Sequence, residues 1–396
     1  MRMYLLALNP TDSVTEGFLP AAARLGVEVT ILTDQPEAHR RDVPEGTEVL
    51  ECDVRDFRAV ITCVAGRRPA DAIFTNSDHL QVQAALAAEY FGLPGKDWRA
   101  ALCAKNKAEM RRRLAVAGVD TVRTVELEPG QDPSVLAAAE LPYPCVIKPR
   151  EGVASEDVML VDGPGELVVC AKEIQVRRPE VALVAEEFLP GQLYTLETLG
   201  DGRLRHVLGG FRTAISAPPT FIETGLEFVA AHPQSVTDQV LGQLDALGVG
   251  FGACHTEFVV HEGRARLIEV NYRVIGDQCD LLLAHVLGIP LFELILRAHL
   301  GEPLPADLGA RRGGAARVEY ALADRAGTLV SAPGTVDRTV DGVRLAYRPL
   351  REVGAEQPHY RTNRDYIGVV RAFGADDGAV DRAVEGFFAT EKWEIA

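Results

Sequence analysis

Residues 251–273 read FGACHTEFVVHEGRARLIEVNYR, two runs mixing apolar and polar residues and meeting at Glu262-Gly263. The pattern predicts a hairpin of two strands, Gly252–Val260 and Arg266–Val270. Alternate residues of a strand share a face, so Glu269, Asn271 and Arg273 point one way, and His255 and Glu257 share a face on the partner. Apolar Phe258, Leu267, Ile268 and Val270 fall between or beside them. Glu257, Glu269 and Asn271 make an all-oxygen set, suited to a hard cation such as Mg²⁺ held together with substrate phosphates. Arg273, at the end of the row, is placed to neutralise charge on a transferring phosphoryl group. A solvated polar face is the plain alternative, since alternation is common in half-buried strands. Against it stand two carboxylates and an amide with no paired lysine on either strand, which repel one another unless a cation lies between them.

Around this hairpin, 396 residues are too many for one compact core, so two or three domains around a shared cleft are expected. The composition, 47% hydrophobic and 25% charged, is that of an ordinary globular chain and excludes a disordered or solenoid one. A net charge of −16 repels a phosphate backbone, and nucleic acid is excluded as a partner. The apolar run Met3 to Leu8 is too short for a signal core or a membrane span, and no other run is long enough to span. Seven cysteines, dispersed without Cys-x-x-Cys, suggest neither a disulfide framework nor a thiolate zinc site. A cytoplasmic address is the expectation.

The opening alternates strands and helices: Tyr4–Leu8, Gly17–Leu25, Val27–Leu32, Ala70–Thr75 and Leu80–Tyr90, the order of a parallel sheet. Its first turn, Asn9 to Gly17, lacks G-x-G-x-x-G, so a dinucleotide site has no support. Gly92-Leu93-Pro94-Gly95 ends this unit. One helix is expected from Trp98 through Ala117, then a small α+β lobe with strands Val122–Leu127, Cys145–Lys148, Met159–Val161 and Ala182–Glu186. Longer strands follow at Tyr194–Leu199 and Leu204–Phe211, and short ones after Pro303.

Cationic residues supply the complement to the carboxylates. Lys148 emerges from the apolar run Pro144-Cys145-Val146-Ile147, where a lysine is costly unless it meets an anion; a snorkelling strand-end lysine is the alternative. The small-residue loop Glu151-Gly152-Val153-Ala154-Ser155 is able to lay backbone N–H groups over phosphates, or to be an ordinary hairpin loop. Lys107, in Lys105-Asn106-Lys107, lies in the opening part of the one helix expected after the first domain, and alone reads as a solvated charge.

In order and spacing these segments resemble the ATP-grasp superfamily, in particular its carboxylate–amine ligase branch, over nearly the whole chain. Asn106-Lys107 with Arg111 and Leu114 looks like the family's Asp-Lys segment, whose lysine reaches the nucleotide phosphates. The strand ending in Lys148 is similar to the second lysine strand, and Gly152 to Ser155 takes the place of the flexible phosphate loop. Glu186-Glu187-Phe188-Leu189 resembles the hinge that receives adenine through backbone groups, with Glu187 as the ribose or adenine contact. Thr256-Glu257-Phe258 and Glu269-Val270-Asn271-Tyr272-Arg273 resemble the metal-binding pair and catalytic arginine. Arg212, Glu223 and Asp277 fall in segments that border the acceptor pocket and are candidate substrate contacts. The chain departs from the pattern at Asn106, at Tyr272 where proline is usual, at Leu193 where an acid is common, and in a loop poor in glycine.

The resemblance implies an ATP-grasp fold of mixed α/β and α+β class. Its parts would be an N-terminal parallel-sheet domain over 1–96, an ATP-grasp domain over 97–305 and a C-terminal capping subdomain over 306–396. The middle part divides into a small ATP-lid lobe (about 119–190) and a large antiparallel-sheet lobe (about 191–305). It implies ATP and Mg²⁺, with Mn²⁺ able to substitute, and a small carboxylate and an amine joined through an acyl phosphate with release of ADP and phosphate. It is compatible with a homodimer. Leu8-Asn9-Pro10 and Asn271 through Asp280 look like ligases of bacterial siderophore pathways. Rival readings are a carboxylase or phosphotransferase on the same fold, and a nucleotide-binding pathway protein without turnover.

Overall fold

The structure, a computed structural model, describes residues 1–308 and 314–396. Strands Arg2–Leu6, Glu28–Thr33, Glu48–Glu51 and Ala72–Phe74 form a parallel sheet in the spatial order third, second, first, fourth. Met3 to Leu6 are all buried, which is why this strand reads as a continuous apolar run. The sequence pattern does not announce the strand Glu48–Glu51 or the helix Phe57–Ala65. That helix begins at Asp56, whose carboxylate accepts the backbone N–H of Arg58 at 2.9 Å.

The expected helix from Trp98 to Ala117 is instead two, Trp98–Lys105 and Lys107–Val116. Asn106 adopts an extended backbone between them (φ −89°, ψ 102°) and its side chain accepts the backbone N–H of Glu109 at 3.0 Å. An asparagine that can cap a helix competes with continuing one. The break gives Lys107 a helix start of its own.

The small lobe is a four-stranded antiparallel sheet in the order Thr124–Leu127, Leu183–Glu187, Cys145–Pro149, Met159–Val161. The helix Pro164–Arg177 covers it, with Leu127, Ile147, Val161, Leu167 and Ile174 in its core. The large sheet has ten strands among the described residues and starts from the expected hairpin, Arg264–Asn271 beside Phe251–His261. Gln192–Asp201, Gly210–Ile215 and Glu223–Val229 follow. The run expected as one strand, Leu204–Phe211, is divided into Arg205–Val207 and Gly210–Ile215. Gly209, at φ 92°, makes the break, a conformation open to glycine.

The tail after Pro303, expected as a capping subdomain, has an apolar core of its own, with Val343, Leu345, Tyr347, Val370, Val384 and Phe387, and is also joined to the large sheet. Its strands Ala315–Leu322, Tyr366–Gly374, Val343–Pro349 and Val336–Val340 extend the large sheet from Glu223–Val229 outward. Asn363 reaches back to the small lobe and the sheet: its backbone N–H donates to Ala154 O at 3.3 Å, and its amide oxygen accepts from Glu223 N at 3.1 Å. One apolar core joins the N-terminal sheet, the helices Cys279–Leu287 and Leu291–His299, and the large sheet. The Phe18 ring lies 4.7 Å from that of Phe74 and 5.0 Å from that of Phe292. No single helix among the described residues is long and apolar enough to cross a membrane.

Candidate active site

The hairpin register opposes His255 to Asn271 and Glu257 to Glu269, with a bulge after Glu257. Opposed residues share a face, and all four side chains line a cleft of about 290 Å³ between the small lobe and the large sheet. Every candidate site residue read from the sequence lines this cleft except Arg212. Arg212 is half exposed and pairs with Glu227 on the neighbouring strand. The phase of its strand explains this: Leu226, opposite Thr213, lines the cleft, and Arg212 opposite Glu227 falls on the other face.

The carboxylates are not without cations, as the hairpin alone suggested; the cations come from elsewhere in the chain. Lys107 Nζ lies 3.0 Å from Glu269 Oε1 and 3.4 Å from the carbonyl of Gly152. Asn271 donates to Glu257 Oε1 at 3.2 Å. His255 bridges two acids, Nδ1 at 2.7 Å from Glu197 and Nε2 at 3.4 Å from Glu257. Burial works against a charged imidazolium there, but Glu197 and then Glu257 outweigh it and hold His255 up to about 10.

On the lid side, Lys148 meets an anion from the protein itself, Glu186 Oε2 at 2.6 Å. Glu186 also accepts from Arg111 at 2.9 and 3.2 Å, and Arg111 donates onward to Leu267 O at 2.7 Å, tying lid strand to hairpin. Glu186, expected in the adenine hinge, is thus a buried counter-ion whose carboxylate is already occupied. Glu187 holds Arg266 at 2.7 Å. Phe188, Leu189 and Leu193 form an apolar wall with Val146, Val259 and Ile268. Leu193, where the resemblance leads one to expect an acid, belongs to that wall. In the loop, Ala154 and Ser155 take left-handed backbone (φ 56° and 54°), and Ser155 Oγ donates to Phe221 O at 2.7 Å. The loop thereby reaches the large sheet without the glycines such a bend favours.

Arg273 lies just beyond its strand, with Nη2 2.7 Å and Nε 2.9 Å from Asp78 Oδ2. Burial opposes its charge, and Asp78 more than restores it. At the same end, desolvation pushes Glu223 up to about 8, with Glu257 and Asp277 adding repulsion, and desolvation also raises Asp277. Sequence reasoning missed Asp78, Glu197, Tyr320 and Asn363. Asp78 had a signal: it follows the carboxyl end of the strand Ala72–Phe74, where parallel sheets present functional groups. Glu197 had only its own oddity, a carboxylate inside an apolar strand, and the tail residues had none.

Residues 19–95 match the ATP-grasp N-terminal domain, and residues 104–277 match the ATP-grasp domain. An uncharacterized protein, y4rH, of Sinorhizobium fredii is 27% identical over 420 residues, covering 100% of this chain and 84% of that one. Among solved structures, the L-amino acid ligase from Bacillus licheniformis is similar at TM-score 0.83 and 21% identity, covering 100% of this chain and 98% of that one. The phosphoribosylglycinamide synthetase from Anaerococcus prevotii is similar at TM-score 0.74 and 16% identity, each chain being covered over 100%. With both domains present in order and the fold shared along its whole length, this chain belongs to the ATP-grasp family.

Proposed function

We propose that the chain is an ADP-forming ligase that joins a small carboxylate to an amine through an acyl phosphate. One observation carries this reading: a single cleft opposes the oxygen set Glu257, Glu269 and Asn271 to the cations Lys107, Lys148 and Arg273. A site that only held nucleotide has little need of a carboxylate pair and a buried arginine together. The L-amino acid ligase and phosphoribosylglycinamide synthetase similarities direct the substrate search towards amino acids.

The donor set fits a divalent cation, being all oxygen and carrying two carboxylates. Among the described residues no group of three or more His, Cys, Asp or Glu side chains forms a metal cage. An ion held by Glu257, Glu269 and Asn271 would draw its other ligands from phosphate and water, as Mg²⁺ commonly does, and would supply charge neutralisation between the phosphates. Lys107 and Lys148 hold the phosphates, and the apolar wall of Phe188, Leu189 and Ile268 receives the base. The substrate carboxylate attacks the γ-phosphorus while Arg273 stabilises the charge spreading over the phosphoryl oxygens. The amine then attacks the acyl phosphate, at the end of the cleft bordered by Glu223 and Asp277. Closure of the small lobe keeps water from that intermediate.

Pools of amino acids and other small acids and amines, assayed for ATP-dependent phosphate release at millimolar Mg²⁺, test the reading. Activity is expected with a carboxylate–amine pair, lost in EDTA, and lost in Glu269→Gln with ATP binding weakened far less. Undiminished turnover in EDTA, or a fully active Glu269→Gln, contradicts it.

A further inference from the structure

Tyr272, between Asn271 and Arg273, turns its ring away from the cleft into the protein, where it is 2% exposed. Its hydroxyl accepts the backbone N–H groups of Gly250 and Phe251 at 3.1 and 3.0 Å. The Lys96 ammonium lies over its ring, 4.4 Å from the centroid, and also donates to its carbonyl. Lys96 is 8% exposed and makes a further bond to Gln81 Oε1 at 2.7 Å. Gln81 in turn donates to Thr75 O at 3.2 Å and Ser77 O at 3.0 Å, gripping the loop that carries Asp78. Asp78 holds the Arg273 guanidinium.

These contacts close a ring. From the Arg273 side chain it runs through Asp78, the loop Thr75 to Ser77, Gln81 and Lys96, and returns by the Tyr272 carbonyl to the Arg273 backbone. Fixing a side chain at both ends removes the freedom a long arginine otherwise keeps. Gly252 makes room for it, since a Cβ there would stand 3.0 Å from Lys96 Cε. A lysine buried this deeply, whose partners among the described residues are an amide, a carbonyl and the Tyr272 ring, is costly to keep for stability alone.

We propose that Lys96 is a positioning residue: through Tyr272 and Gln81 it sets Arg273 in the geometry phosphoryl transfer requires. The role of Arg273 rests on the ligase reading; the ring itself does not.

Lys96→Met keeps the apolar stem and removes both donated bonds. Gln81→Met opens the ring at another point: it removes the acceptor of one Lys96 bond and the donor to the Thr75–Ser77 loop, and leaves Lys96 its bond to the Tyr272 carbonyl. Hydrogen exchange of the ligand-free protein is compared over residues 270–278 and over the lid strand Cys145–Pro149. Both variants are expected to exchange faster over 270–278 and unchanged over the lid strand. With an acid–amine pair that the wild type uses, kcat is expected to fall by on the order of 10²-fold, while KM for ATP stays within about twofold. Unchanged exchange over 270–278, or faster exchange spread evenly over the whole chain, overturns the proposal, as does a loss carried by KM alone. The exchange measurement needs no turnover. A wild type that consumes no ATP therefore counts against the ligase reading only, and the role of Lys96 is still decided.

Discussion

Glu186 sits between Arg111 and Lys148, and all three side chains are almost wholly buried. Burial opposes the charged carboxylate, but Arg111 and Lys148 together hold it well below the usual range. Glu186→Gln leaves two buried cations without their anion and is expected to cost about 3–5 kcal/mol, read by chemical denaturation. The sign of the pH dependence follows from the depressed value. The contribution is complete above the unfolded carboxylate's pKa of about 4.3 and is lost as pH falls towards the lower folded one. Wild-type stability should therefore drop on acidification through that range, and the Gln variant should drop less; equal slopes would contradict the assignment. The place of Glu186 in the cleft was legible from the hinge that Glu186-Glu187-Phe188-Leu189 resembles, but its two ion pairs were not. Its partner Arg111 is 75 residues distant in sequence, and no local pattern records a contact made across lobes.

At the scale of elements, the hairpin was legible because alternation fixes which residues share a face, and the register delivers the opposition of Glu257 and Glu269. The break at Asn106 was not, because helix-favouring residues on both sides hide a cap that tertiary contacts help decide. The cap gives a direct test. Asn106→Ala loses the bond to Glu109 N and is expected to cost about 0.5–2 kcal/mol in urea unfolding, with faster exchange at Ala108 and Glu109. A variant as stable as wild type would mean that Lys107 owes its placement to other contacts, its backbone bond to Arg150 O at 3.1 Å foremost.

The whole molecule builds one cleft from distant parts of the chain. The N-terminal sheet sends Asp78 to Arg273, the lid sends Lys148 and the loop, the hairpin presents the carboxylates, and the tail closes one side with Tyr320 and Asn363. The tail's part escaped the sequence because its strands carry the usual apolar alternation, and nothing in that pattern tells an extension of a sheet from a separate one. In the proposed reaction a carboxylate is phosphorylated before the amine attacks. Acyl-phosphate formation places one carboxylate oxygen on phosphorus, and it stays there when the amine displaces phosphate. Turnover of an ¹⁸O-labelled carboxylate with its amine and ATP should therefore yield ADP and inorganic phosphate carrying the label. Unlabelled phosphate, or AMP with pyrophosphate, would contradict the account.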